Sequence, residues 1–589
     1  MVGLIAEEVT KPAGGAALDQ VFIASGAALV LTLVLLVLGW GQRSGRLPLL
    51  GRAAETARRI GGDSLPGWAA LPSATALVSL VTALLGMYWD ISLHITHGRD
   101  EGPLANIAHY PILIGLFGIF AAGMIGLVLP VKEKPGPAPI KITRTWYAPA
   151  GAILVTGAGF YALLGFPLDD VWHRIFGQDV TLWGPTHLML IGGAGLSLVG
   201  LMVLEREGRA AAGGAEASRV VAFVRRGAVC GGLLIGLSVF QAEFDFGVPQ
   251  FRLVNQPFMI ALAAGCALVA ARLWVGRGGA VFAALFYFLI RGGVSIAVGP
   301  VIGELTPSVP MYLAEALCVE VVALLLIHRP LVFGLASGAT IGTAGFAAEY
   351  AWTQVAFPLP WDQDIIIEGV AMALAGGLTG GVLGAMLALG IEGRMPKPTV
   401  ARPLFAASLL VIAGAVANGL VFSVPKDMSA TFAVSPDGNA TIELSRPVSS
   451  AAWVDVTGWQ GGGLHIDRLE KTGPATYRTT EPMPLTGDWK TLLRVHDGRT
   501  LTAVPIYLPK DAAIGAEELA ATPSFTRPFQ GEKQILQREL KEDVPGWVWA
   551  AASLIVLACT LILILALAWG VGRTSRAVAE RPEAVRSRV

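Results

Sequence analysis

Residues 67–94 read GWAALPSATALVSLVTALLGMYWDISLH. The first charged side chain in this stretch is Asp90. A helix that crosses a bilayer needs about 20 mainly apolar residues, so the stretch reads as a transmembrane span. It closes on Asp90 and His94. Residues four apart on a helix share a face, with Cβ atoms about 5–6 Å apart. An apolar span ending in an acid–imidazole pair is the pattern from which the rest of the chain is read.

Thirteen stretches meet the length and apolarity of a span, at 20–40, 67–93, 108–130, 146–167, 186–204, 227–246, 257–275, 279–303, 309–327, 330–351, 364–391, 402–423 and 546–571. The chain has 589 residues, of which 54% are hydrophobic and 15% charged. Soluble domains carry about 25% charged residues, so an ordinary soluble enzyme and a disordered chain are both excluded. Lys+Arg and Asp+Glu balance at 43 each, which leaves no electrostatic footprint for nucleic acid. The 72 glycines suit close helix packing in a membrane. Basic residues crowd every second connection, among them Arg43, Arg46, Arg52, Arg58 and Arg59, then Lys132, Lys134, Lys141 and Arg144, and finally Arg573 and Arg576 in the tail. The positive-inside rule puts those loops in the cytoplasm. The N-terminus is then outside and the C-terminus inside. The first 19 residues hold Glu7, Glu8 and Asp19 against Lys11, which is not the basic start of a cleavable signal peptide.

The fold expected is a polytopic α-helical membrane protein of about thirteen transmembrane helices with one external β-sandwich before the last. A twelve-helix membrane domain occupies 1–423. Residues 424–510 alternate apolar and polar side chains around the turn pairs Asp437-Gly438 and Asp497-Gly498, the pattern of antiparallel hairpins. Residues 511–545 read as a linker with a short surface helix, 546–571 as the final span and 572–589 as a basic cytoplasmic tail.

The acid–imidazole pair recurs. Asp90-x3-His94 is followed by Asp100 and by His109, which opens the next span. Asp169-x3-His173 is followed by Asp179 and by His187, again opening a span. The two copies lie 79 residues apart. Glu243, Asp245, Asn255 and Gln256 stand as a degenerate third copy without histidines. Imidazole and carboxylate together bind Zn, Cu, Fe or Mn, and three ligands leave a position open for water or substrate. Asp90, His94, His109, Asp169, His173 and His187 are therefore the candidate metal ligands. Asp100, Asp170, Asp179, Glu243 and Asp245 are candidates for orienting them, although Asp100 and Asp179 read first as caps of helices or turns. A helix end at the interface also carries solvated Asp and His at little cost. The duplication is what favours the metal reading. His97 falls outside the repeat and reads as a loop residue. Trp89, Tyr110, Trp172 and Trp183 suit either a pocket wall or an interfacial aromatic belt.

Other polar residues inside spans point to structure or transport. Arg291 is placed to pair with Glu315 or Glu320 on the next span, and Glu349 and Glu368 extend the outer polar region. Cys230, Cys266, Cys318 and Cys559 form no Cys-x-x-Cys motif and read as packing residues. Neither a Walker A motif nor a dinucleotide fingerprint is present. The sheet segment has His465, His496, Met428 and Met483 but no Cys, so it is not a blue-copper centre. His496, beside a turn, reads as solvated.

The arrangement of Asp90, His94 and His109 resembles the metal site of the membrane subunits of particulate methane and ammonia monooxygenases, over about 20 residues, or about 40 with the second copy. That resemblance implies copper, dioxygen and a small apolar or amine substrate. The span count, the single chain and the spacing to the last His depart from that family. Gly487-Asp488-Trp489-Lys490 leading into Leu492-Leu493-Arg494-Val495 and the Asp497-Gly498 turn resembles the FixH and YtkA type of β domain. That resemblance implies a sandwich at the outer face of a bacterial membrane, associated with copper-protein assembly. The expectation is a bacterial inner-membrane protein with a periplasm-facing site, copper as its metal with zinc or iron as alternatives, and oxidation of a small or lipid-soluble substrate as its activity. Metal transport or copper-protein assembly, with a copper-donor protein as partner, is the alternative. A membrane transferase with an external catalytic Asp ranks third, because it has no use for the repeated histidines. Membrane lipid is the expected surrounding and no nucleic acid is expected.

Overall fold

Inside a bilayer the backbone has only itself to hydrogen-bond, so apolar stretches of this length fold as helices. The computed structural model describes residues 18–580 apart from 62–63, 101, 132–133, 179–180, 213–217 and 450. Among the described residues, twelve helices are long and apolar enough to cross a membrane. In chain order the helices are α1 (Leu18–Ser44), the short α2 (Leu49–Ile60), α3 (Gly67–His97), α4 (His109–Val128), α5 (Ala150–Phe176), α6 (Pro185–Ala211) and α7 (Arg219–Asp245). They continue with α8 (Asn255–Trp274), α9 (Gly279–Ile302), α10 (Leu313–Leu326), α11 (Pro330–Ala356), α12 (Gln363–Ile391) and α13 (Pro398–Leu420). A short α14 (Glu532–Leu536) and the long α15 (Gly546–Ala579) close the chain.

The stretch expected to span at 309–327 differs. Its helix, α10, has only 14 residues, about 21 Å at 1.5 Å per residue against a core of about 30 Å. Pro307 and Pro310 are the reason, since proline removes a donor and keeps the preceding residue out of helix. Residues 304–312 therefore run as irregular backbone among the helices, and the Ser308 amide donates to the Asp245 carbonyl at 2.9 Å.

Neighbouring helices pack in sequence from α3 to α6, and α8 packs against α12. The seam of α8, α11 and α12 needs glycine. A Cβ on Gly377 would strike the carbonyl of Gly338, and one on Gly381 that of Gly334. Small residues let backbones approach this closely where lipid supplies no hydrophobic drive between helices.

Between α13 and α15 the chain forms two five-stranded sheets, all neighbours antiparallel. One is built from Ser429–Val434, Ala440–Leu444, Glu470–Lys471, Thr476–Arg478 and Ser524–Pro528. The other holds Ala451–Trp459, Leu464–Arg468, Lys490–Asp497, Thr500–Tyr507 and Gln530–Gly531. Phe432 and Ile442 from the first meet Val456, Leu493 and Val504 from the second in one core. Strand Lys490–Asp497 is buried on both faces, Asp497 apart. Leu493 and Val495 face the other sheet. Leu492 packs with Ile535 and with Ile95 of α3. The second sheet thus lies against the helices.

Residues 511–545, read as linker, contribute two of these strands. Their charges turn inward: Glu532 meets Arg494 at 2.6 Å and Glu539 meets Lys490 at 3.2 Å. The membrane-region pairings also differ from expectation. Arg291 bonds to Asp245 at 2.9 Å, Glu320 to Arg272 at 2.8 Å and Glu368 to Arg252 at 2.6 Å.

Candidate metal centre

The last two turns of α3 present Asp90 and His94 on one face, and the first residue of α4 is His109. His94 Nε2 lies 3.4 Å from Asp90 Oδ1 and 3.4 Å from Asp100 Oδ2. His109 Nε2 lies 3.1 Å and 3.6 Å from the same two oxygens. Asn106 Nδ2 donates to both carboxylates, at 2.6 Å and 3.1 Å. The end of α5 and the start of α6 repeat the design. His173 Nε2 is 3.2 Å from Asp169 Oδ2 and His187 Nε2 is 3.3 Å from Asp169 Oδ1. Thr186 Oγ1 donates to Asp169 Oδ1 at 2.6 Å.

Each imidazole is turned by its other nitrogen. His94 Nδ1 meets the carbonyl of Gly98 at 3.0 Å, and His173 Nδ1 that of Gly177 at 3.4 Å. Both glycines end their helices in the left-handed φ region, at φ 77 and 83, where a side chain is strained. His109 Nδ1 meets the Pro103 carbonyl at 2.8 Å and His187 Nδ1 the Thr181 carbonyl at 2.7 Å. A carbonyl only accepts, so in all four rings Nδ1 carries the hydrogen. In the neutral ring Nε2 then keeps a lone pair aimed at a carboxylate oxygen. Two acceptors facing each other need a cation between them, which is either a metal ion or a second proton on Nε2.

The distances suit a metal ion. Ligands at about 2.0–2.1 Å around a tetrahedral ion stand about 3.4 Å from one another. The imidazole–carboxylate separations here run from 3.1 to 3.6 Å. One ligand atom each from Asp90, His94, Asp100 and His109 forms one group, and Asp169, His173 and His187 form a second, within 4.8 Å in each case. The donor set is imidazole and carboxylate, with backbone carbonyls holding the imidazoles, as metal-ligating histidines commonly require.

Both groups line one cavity of about 370 Å³. Away from the histidines its wall is apolar, with Leu77, Leu80, Leu84, Leu116 and Leu198. Thr457, Trp459, Gln460 and Arg494 of the sheet domain line it from the other side. The sheet domain also grips the helix ends that carry the candidate ligands. The Gln460 amide donates to the Ile95 carbonyl at 2.9 Å, and the Lys541 amide to the Phe176 carbonyl at 2.8 Å.

The remaining expected residues take other places. Asp170 pairs with Arg174 at 2.7 Å. Asp179 lies outside the described residues. Glu243 accepts from Thr181 Oγ1 at 2.7 Å and from the amides of Leu182 and Gln250 at 2.8 and 3.1 Å. It pins the loop whose Thr181 carbonyl turns His187. Asp245 is not beside the histidines. It accepts from Arg291, from Tyr88 at 2.9 Å and from Gln241 at 2.6 Å, so it ties α7 to α3 and α9. His97 is 4.0 Å from Glu304 and outside both groups. Trp89, Tyr110, Trp172 and Trp183 do not line the cavity. Sequence reasoning missed Asn106, the link between the two carboxylates. It also passed over the glycine four residues after each helix-end His, a signal present in both copies.

The chain matches no protein-family model, no curated protein and no solved structure.

Proposed function

We propose that this protein is a multi-pass bacterial inner-membrane metalloprotein, N-terminus outside, whose two Asp/His groups face the periplasm and oxidise a small apolar substrate. Basic residues on alternate connections support the orientation. They put the sheet domain outside, which takes twelve crossings before it, so residues 304–312 and α10 together make one of them. Asp90, His94, Asp100 and His109 would hold one ion, and Asp169, His173 and His187 a second. Copper is the first assignment, from the resemblance of the ligand spacing, and iron or zinc are the alternatives that the same donors accept. A bound copper or iron ion with an open position supplies dioxygen chemistry. The chain's own part is to hold four Nε2 atoms and their carboxylates in place, to bind an apolar molecule against Leu80 and Leu84, and to cover the site with the sheet domain.

The observation that carries this reading is the turning of all four imidazoles by backbone carbonyls, so that every Nε2 faces a carboxylate. The apolar wall favours substrate oxidation over an ion path, because the charged groups of the cavity gather beside the ligands and the sheet domain. The second reading is delivery of copper to a partner protein. It draws on the sheet domain's position beside the ligands and on its resemblance to copper-assembly domains. The test is turnover by metal-loaded protein in lipid, supplied with dioxygen, an electron donor and short alkanes or alkenes. The expected result is a hydroxylated or epoxidised product that disappears in His94→Ala or His173→Ala. Metal that leaves for a copper acceptor, with no oxidised product, would instead establish delivery.

A further inference from the structure

Glu315 opens α10 and Glu349 lies on α11. Their exposures are 1% and 0%. Glu349 Oε1 accepts from the amides of Met311 and Tyr312 at 2.8 Å each. The Oε2 atoms of both residues are buried and have no hydrogen-bond partner among the described residues. Both residues line a cavity of about 10 Å³ with Pro257, Ile260, Phe346 and Trp361, a space of about one water-sized sphere. The pair is accommodated by design. Gly345, in the π-turn Ile341–Gly345, leaves room that a Cβ would close, at 2.9 Å from Glu315 Cγ and 3.0 Å from Oε1. π-Turns inside helices are frequent at functional sites.

Among the described residues, no cation is paired with these carboxylates. Arg291, Arg272 and Arg252 are committed to Asp245, Glu320 and Glu368. The titratable groups near the pair are Tyr287 on α9 and Tyr312 and Cys318 beside and on α10. Tyr350 adjoins Glu349 in the chain, and α8 contributes only Pro257, Ile260 and Ala261 to the cavity. Two carboxylates sharing a buried site with no neighbouring cation do not both ionise. A metal ion of the sodium or calcium type needs several oxygen ligands, whereas the other side chains of this cavity offer carbon and an indole bonded elsewhere, Trp361 Nε1 to Gln256 at 2.7 Å.

We propose that Glu315 and Glu349 form a proton-binding site within the membrane-embedded part of the chain, one proton joining their free oxygens. The protonated carboxyl donates and its partner accepts, which satisfies both Oε2 atoms. A row of hydroxyls begins on Tyr312, whose amide donates to Glu349. Tyr312 donates to Ser238 at 3.1 Å, and Ser238 lies 3.2 Å from the Tyr287 hydroxyl. The row runs toward Arg291, Asp245 and Tyr88, and Tyr88 stands two residues before Asp90 on α3. The proton site stands independently of the metal reading.

Infrared spectroscopy of the full chain in lipid tests it. The wild type should keep a protonated-carboxyl band at neutral pH, sensitive to deuterium. Glu315→Gln and Glu349→Gln should each lose that band and keep the wild-type melting midpoint, because the new amide donates to the remaining carboxylate. Glu315→Ala should lower the midpoint. A band untouched by either Gln variant would overturn the proposal. So would a wild-type midpoint that rises when choline is replaced by sodium, the mark of a cation site, and this measurement needs no variant.

Discussion

A neutral imidazole has one donor and one acceptor nitrogen, and what the donor meets decides where the acceptor points. His94, His109, His173 and His187 give their Nδ1 hydrogens to carbonyls and turn Nε2 to carboxylates. His496 shows the opposite use. Its Nε2 accepts from the Leu253 amide at 3.2 Å, its ring lies on Trp453, and only 1% of the residue is exposed. The expected solvated turn residue is thus buried where the sheet domain meets α8. Burial foremost, with the nearby Arg252 charge, pushes its imidazole down to about 3. A neutral folded imidazole contributes stability above the ordinary value of about 6.5. That contribution is lost as pH falls from there toward about 3, at a slope of up to about 1.4 kcal/mol per pH unit. Unfolding midpoints followed across this acid range should fall in the wild type. In His496→Gln the slope should be shallower, since glutamine accepts the same amide hydrogen without titrating. An unchanged slope would remove His496 from the acid response.

At the scale of the element, the helix end is the unit of construction. Helices α3 and α5 each stop at a glycine whose carbonyl turns the His one turn earlier. Gly177 has φ 83 and ψ 172, a region nearly reserved for glycine, and a forced side chain there costs about 1–3 kcal/mol. A Cβ would also meet Glu539 O, and Lys541 N at 2.8 Å. Gly177→Ala should lower the melting midpoint and weaken metal binding at Asp169, His173 and His187 while sparing the group around Asp90. Metal titration of this variant against Gly98→Ala, which should show the reverse, checks it. Much of this was legible. Apolar length revealed the spanning helices, and the i, i+4 spacing put Asp90 with His94 and Asp169 with His173. At 309–327 the helix is shorter than hydropathy suggested, because a window average does not register Pro307 and Pro310. Glu532 and Glu539 looked like surface charges because their partners, Arg494 and Lys490, are distant in sequence. Asn106 was illegible for a related reason: its amide joins carboxylates from α3 and from the loop after it, and no spacing rule marks that. Asp245 misled because a carboxylate beside a degenerate repeat gives no sign that Arg291 will take it.

For the whole molecule, the two ligand groups, the apolar wall and the sheet domain share one cavity. The duplication of helix-end motifs thus becomes one two-part site, and the sheet domain covers and braces it through Gln460 and Lys541. Such an arrangement has a countable consequence, because each group brings at least three candidate ligand atoms within 4.8 Å of one another. The most direct test of the metal reading is elemental analysis of the purified full chain after exposure to copper, iron and zinc. Two ions per chain are expected in the wild type, one in His94→Ala, one in His173→Ala and none in the double variant, in keeping with the two groups. A wild type that holds no transition metal under these conditions, or a double variant that holds as much as the wild type, would contradict the account.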